Sequence, residues 1–348
     1  MDFTFSAEQD QLRDAVRSFL ADKAPSAYVR SMMEDDRGIT DEVWDQLVEL
    51  GWTEITDLVD LTVLLEEMGK LPFPGPYLSA AVLAPMAARR LGAEEVLGSG
   101  GLGTIALEEQ GAGDPVGRVR TRATKKSGKW LLNGEKPVVL DGHLADWVLV
   151  AALTDEGLGT FLIEKPAGEL VPTWDQTRKV ARLVLDGRVA QPVGPAGDHS
   201  AAWRRVADDG AVALCAELIG TSERALDLAV EYAKVRVQFG RPIASFQAIK
   251  HKAADMLHKL TLARVGTHYA AWASDAEDPV REEAAAMAKA YAAEAAVFVT
   301  GESIQIHGGV GFTWDCDAHL HYRRAKQSDL MLGYQGWQRQ RLADLVLG

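Results

Sequence analysis

Residues 232–252 read YAKVRVQFGRPIASFQAIKHK. A long helical pattern ends in Arg236-Val237-Gln238-Phe239, and Gly240-Arg241-Pro242 forces a turn. Ser245 then offers a hydroxyl N-cap to a second long helix. A guanidinium and a carboxamide held where two helices meet suit a planar, phosphorylated ligand, because arginine presents a fixed fork of donors to phosphate oxygens. Spacing alone favours a solvated helix end, so the surrounding chain has to decide.

On both sides of this corner the chain reads as helix. Residues 201–234 carry one apolar stripe interrupted only by Gly210 and Gly220, residues 245–273 form an equally long helix, and residues 282–302 are rich in alanine. Asp344 lies in a last short helix. Such helices with short connections predict a C-terminal four-helix bundle over residues 196–348. Residues 304–312 read IQIHGGVGF; glycines there let a backbone approach a ligand closely and present N–H groups to an anion. A lone His307 beside a Gly-Gly turn reads as a packing or hydrogen-bonding residue, and His251 likewise.

Upstream the period changes. Between residues 99 and 195, glycine-rich punctuation separates short alternating or β-branched runs at 104–107, 119–123, 130–132, 147–152, 160–163 and 180–185. Asn133-Gly134 and Asp141-Gly142 read as turn pairs. This predicts a small antiparallel β domain. Residues 1–98 predict a helical domain, opened by a capping box at Ser6-Ala7-Glu8-Gln9, with further helices at about 41–50, 58–68 and 78–91. The fold class is therefore α+β and mostly helical.

Composition bounds the chemistry. At 348 residues, 47 % hydrophobic and 25 % charged, the chain has material for two or three packed units. A net charge of -13 argues against nucleic acid as the main partner. Cys215 and Cys316 lack zinc or disulfide spacing, so reduced thiols in the cytoplasm are expected. The N-terminal stretch MDFTFSAEQDQL lacks the pattern of a signal peptide, and no window is apolar enough to span a membrane.

RVQFGRPIASFQAIKHKAADM and IQIHGGVGF, in this order and at this separation, closely resemble the C-terminal helical domain of acyl-CoA dehydrogenases; the resemblance extends more weakly over nearly the whole chain. It implies the same order of helical domain, β domain and bundle. It also implies FAD lying between subunits, with an acyl-CoA substrate and an electron-transfer flavoprotein as acceptor. Carried over residue by residue, Arg236 would pair with the FAD pyrophosphate, with Gln238, Phe239 and Gln247 beside it. Gln305 and the backbone of Gly308 and Gly309 would take the adenosine side.

The chain departs from that family elsewhere. Where relatives hold the flavin ring with hydroxyls and a Trp, this chain has Glu108 within Leu107-Glu108-Glu109-Gln110-Gly111-Ala112-Gly113-Asp114. It has Val138 and Leu140 within Pro137-Val138-Val139-Leu140-Asp141-Gly142. The glycine-rich loop after the second helix is shortened to Gly51-Trp52-Thr53-Glu54. Removal of an α-proton needs a carboxylate, yet the stretch resembling Tyr-Glu-Gly-Thr reads Tyr334-Gln335-Gly336-Trp337, with no Asp or Glu between Asp329 and Asp344.

Other family members place the base on the first long helix of the bundle, where this chain has Gly210 flanked by Asp208 and Asp209. Those aspartates are either an alternative base or two solvated carboxylates favouring the helix dipole. The sharpest expectation is a non-catalytic subunit of a heteromeric acyl-CoA dehydrogenase. It resembles actinobacterial α2β2 enzymes acting on steroid side-chain CoA thioesters, in which a homologous chain supplies ring site and base. The alternatives are a self-sufficient homotetramer using Asp209 or Asp208, and a fold-alike scaffold without dehydrogenase activity.

Overall fold

The computed structural model describes residues 5–109 and 111–348; residues 1–4 and Gln110, both within segments read above, lie outside the described residues. In chain order the helices are α1 (Ala7–Lys23), α2 (Ser26–Glu34), α3 (Asp41–Glu49), α4 (Leu58–Gly69), α5 (Ala84–Arg90), α6 (Ser200–Val235), α7 (Gln247–Asp275), α8 (Arg281–His307), α9 (Ala318–Leu330) and α10 (Gln335–Leu347). The strands of the middle region are β1 (Gly103–Ala106), β2 (Arg122–Lys126), β3 (Lys129–Leu140), β4 (Trp147–Thr154), β5 (Gly157–Glu164), β6 (Glu169–Val171) and β7 (Val180–Pro192). A short ribbon, β8 (Val237–Gln238) with β9 (Arg241–Pro242), joins α6 to α7.

The chain forms two compact units assembled from segments distant in sequence. One gathers the chain up to Arg30, Asp57–Phe73 and Ala211–Gly348; the other gathers Ser31–Thr56 and Pro74–Gly210.

In the first unit, the capping box at the start of α1 forms as read: Ser6 Oγ accepts the Gln9 N–H at 3.2 Å, and Gln9 Oε1 accepts the Ser6 N–H at 2.9 Å. The helices α4 and α6 touch backbone to backbone, because Gly69 faces the Glu217 carbonyl and Gly220 faces the Glu66 carbonyl with no room for a Cβ at either. Thr221 Oγ1 donates to the Gly69 carbonyl at 3.1 Å and fastens the crossing. Beside it Arg324, only 1 % exposed, pairs with buried Glu217 and donates to the carbonyls of Pro72 and Phe73.

The α8 helix buries an alanine face, in which Lys289 is fully enclosed. Its ammonium donates to the carbonyls of Ser328 and Asp329 at 2.9 and 3.0 Å. These belong to the last turn of α9, where carbonyls lack intrahelical partners and the helix dipole favours a cation.

The second unit is built on a seven-stranded sheet in the order β1-β4-β2-β3-β7-β5, closed by pairing of β4 with β5, with β6 beside β7. The long pairings β3–β7, β4–β5 and β2–β3 are antiparallel, as the alternating runs predict. Two parallel pairings, β1 and β2 each against one edge of β4, are not visible in the sequence pattern. Leu132, Val148, Val150, Phe161 and Leu185 point into the closed interior. Trp203 near the start of α6 donates its indole N–H to Thr160 Oγ1 at 3.0 Å, tying that end of the helix to β5.

Of three local readings, two are corrected. Asn133-Gly134 is no hairpin turn; it lies inside β3 at a register shift against β7, where Gly134 (φ 150) presses on Thr121 with no space for a side chain. Asp141-Gly142 does turn, with Asp141 at φ 51. Ser245 does not cap the following helix: its hydroxyl donates to the Pro242 carbonyl within a preceding turn of 3₁₀ helix, and α7 begins at Gln247 with Phe246 as its cap residue.

Candidate cofactor-binding site

The residues of the opening stretch form a ribbon at one end of the first unit. Phe239 and Gly240 make a two-residue turn with φ of 53 and 77, the left-handed pair that matches the twist of flanking strands. The Phe239 ring is 90 % exposed, edge-on to Phe246 at 6.1 Å, while the Arg241 guanidinium covers the other ring at 4.3 Å. Arg236, Gln238 and Gln247 are exposed, and the Arg236 guanidinium makes no ion pair among the described residues. Gln247 Nε2 lies 3.0 Å from His251 Nε2.

The glycine turn lies at the same end. Tyr232 of α6 stacks on His307 of α8 with ring centroids 4.6 Å apart, and Lys252 of α7 pairs with Glu302 of α8. The three helix ends that carry Arg236, Gln247 and Gln305 are thereby held together. His307 is buried and its Nδ1 lies 2.7 Å from the Ser303 carbonyl, so it packs and hydrogen-bonds. Gln305 is exposed, and beyond it Gly308 (φ 63, ψ -142) opens a turn with empty space where a Cβ would stand on Gly308 or Gly309. An exposed guanidinium without an ion pair, exposed carboxamides and two glycines open to solvent at one helical corner make a site that an anionic nucleotide can approach closely.

In the second unit the residues at the ring-holding positions are different in kind. Leu140 is buried, and its backbone carbonyl accepts the Thr104 hydroxyl at 2.7 Å; Val138 is partly exposed. Glu108 is half-buried. The neighbouring Glu109 turns inward: its carboxylate accepts from the fully buried Lys136 at 2.8 Å and from the backbone N–H groups of Arg120 and Thr121 at 2.6 and 2.9 Å. Burial alone would push the Glu109 carboxyl up, but the Lys136 charge and these donors hold it below the usual range.

Both candidate bases lie inside the fold. Asp208 and Asp209 are not the solvated first-turn carboxylates of the blander reading; both are buried, in the interior of α6. Both oxygens of Asp209 are engaged by the Arg205 guanidinium at 2.9–3.0 Å, and Arg90 approaches at 3.3 Å.

At the other position the fold supplies a carboxylate that counting along the sequence passed over. Asp329, at the edge of the window searched, accepts from the Gln335 backbone N–H at 3.2 Å and from its side-chain amide at 3.3 Å. Gln335 opens α10, so Asp329 serves as the cap for an otherwise unpaired helix N–H. No linear spacing announces it, since cap and capped residue belong to different helices.

Comparison with known proteins places the chain in a family. A family model described as "Acyl-CoA dehydrogenase, C-terminal domain" matches residues 201–347. Over 339 residues the chain is 33 % identical to Acyl-CoA dehydrogenase IpdE2 of Mycolicibacterium smegmatis, covering 94 % of this chain and 95 % of that one. The chain belongs to the acyl-CoA dehydrogenase family. Among solved structures it is similar to the Tcur3481–Tcur3483 steroid acyl-CoA dehydrogenase (29 % identity, 98 % of each chain, TM-score 0.87). It is also similar to the ChsE4–ChsE5 complex from Mycobacterium tuberculosis (27 % identity, 100 % and 99 % of the chains, TM-score 0.88).

Acyl-CoA dehydrogenases are FAD-dependent flavoproteins. The corner around Arg236, Gly308 and Gly309 fits the nucleotide half of FAD, with an exposed guanidinium that makes no ion pair among the described residues and open space beside both glycines. The segment around Val138 and Leu140 does not fit the ring half, because aliphatic side chains cannot hydrogen-bond a flavin edge.

Proposed function

We propose that this acyl-CoA dehydrogenase chain is the non-catalytic subunit of a heteromeric, FAD-dependent enzyme. A homologous partner chain supplies the flavin-ring site and the base, and this chain contributes Arg236, Gln238, Phe239, Gln247, Gln305, Gly308 and Gly309 to the pyrophosphate and adenosine. The observation that carries the reading is the contrast between that open corner and the occupied carboxylates. Asp209 is held by two guanidiniums, and Asp329 is bound to the amide that stands where a base would be.

When bound, FAD would accept the hydride from an acyl-CoA; this chain's residues would grip its phosphates and fix its position. Two of the similar structures are named for two different chains, which supports a pair of unlike subunits, and one is a steroid enzyme. A CoA thioester of a steroid side chain is therefore the proposed substrate, with an electron-transfer flavoprotein as acceptor and the cytoplasm as location. No helix among the described residues is long and apolar enough to cross a membrane.

The deciding experiment is purification with and without a homologous partner chain, measuring flavin per chain and turnover. The chain alone should carry little flavin and no activity, and the pair should carry both. Full flavin occupancy and turnover in the chain alone would overturn the proposal.

A further inference from the structure

The sequence from Pro115 to Gly134 carries six basic residues and no acidic one, in a chain of net charge -13. It forms the hairpin of β2 and β3, capped by Ser127-Gly128 with φ of 49 and 80. Lys126 stands directly opposite Lys129 in the ladder, and Arg122 lies on the same outward face. Like charges in directly opposed positions destabilise a hairpin, so this arrangement works against the fold that displays it.

The exposed guanidinium of Arg122 and the ammonium groups of Lys125, Lys126 and Lys129 make no ion pair among the described residues. Lys125 lies 6.0 Å over the Trp130 ring. Carboxylates on neighbouring strands and turns are otherwise engaged or turned to solvent: Glu109 is bound to Lys136, Glu135 to Arg182, and Asp186 and the Asp155-Glu156 tip are exposed. The outward face also carries apolar surface, with half-buried Leu131 opposite Val189, which is 53 % exposed.

We infer that this hairpin is a docking strip for an acidic protein segment. The strip from Arg122 to Lys126 is only about 15 Å long at the rise of a strand, and its attraction fades over a screening length of about 8 Å, past which a polyanion meets the rest of a chain of net charge -13. A short acidic segment meets the cations without meeting that field, whereas a duplex or an anionic bilayer extends past it. The aliphatic pair beside the cations suits a peptide side chain better than a phosphate backbone. Lysines on a strand edge also guard against edge-to-edge pairing. That role needs only charge, of either sign, and the test uses this difference.

The experiment measures fluorescence anisotropy of a labelled oligoglutamate peptide with the full chain, wild type against Lys126→Glu/Lys129→Glu. Duplex DNA and phosphatidylserine vesicles serve as comparison probes. The expected result is salt-sensitive peptide binding that falls at least about tenfold in the reversed variant, while that variant stays monodisperse with unchanged thermal melting. Lys126→Ala/Lys129→Ala, which places no new charge in the turn, should bind with intermediate strength. Equal peptide binding by wild type and both variants would overturn the inference. So would tighter binding of DNA or vesicles than of the peptide.

Discussion

Arg324 shows how a single buried charge can be indispensable without adding much net stability. It reaches Glu217 and two backbone carbonyls away from bulk solvent. Removing one member of such a pair leaves the other charged and unsatisfied, so Arg324→Met should destabilise the chain by about 3–5 kcal/mol in urea unfolding. Lys136 makes a different prediction. Burial presses its ammonium down from 10.5 to about 8, against the pull of Glu109. Unfolded, the same amine keeps its proton up to its ordinary value, so between those two pH values the unfolded chain binds more protons and stability rises with pH. Urea midpoints across that window should climb for wild type relative to Lys136→Met. A flat difference between the two would show that the amine is not held as described. At this scale the sequence was informative about residue types but not about partners: it marked Arg236, which the fold leaves exposed beside the ribbon, while Asp329 became visible only once α9 and α10 were folded against each other.

Among the elements, those with an apolar stripe at helical spacing were legible and those without one were not. The α9 helix, absent from the sequence reading, buries His319, His321, Arg324, Ser328 and Asp329. A search for apolar periodicity cannot see a helix whose inner face is polar. The short α2 was missed for a related reason, since Val29 and Met33 give it a single apolar pair. Asn133-Gly134 misled because the dipeptide signals a left-handed turn, whereas here the glycine is demanded by close approach to Thr121 inside a long strand. The α4–α6 crossing gives the prediction proper to this scale. Gly220→Ala would drive a methyl into the Glu66 carbonyl and force the helices apart. A loss of about 1–3 kcal/mol is expected from overpacking, read as a lowered melting temperature. Unchanged melting would mean that the helices do not meet there.

For the whole molecule, the order of helices, strands and helices followed from composition and period, and the family was legible from two motifs. What could not be read was the contact of Arg90 with Asp209, because the two lie more than a hundred residues apart and no spacing links them. Two substitutions separate the proposed division of labour in the assembled enzyme. Arg236→Ala should lower flavin per complex severalfold, since a charge-assisted contact to pyrophosphate is lost. Gln335→Ala should leave turnover within about twofold, since that amide is committed to Asp329. A large rate loss for the second would place chemistry at the α9–α10 corner.

Phe239 has a consequence for how this protein could be engineered. A bulky residue at φ 53 is strained, and its ring finds little cover within its own chain. Any procedure that selects only for robustness of the lone polypeptide would therefore discard it, with Gly or Asn gaining on both counts. Variants improved in that way should melt later by themselves yet assemble and retain coenzyme less well, so heat tolerance of the isolated chain is a misleading guide to fitness of the working complex.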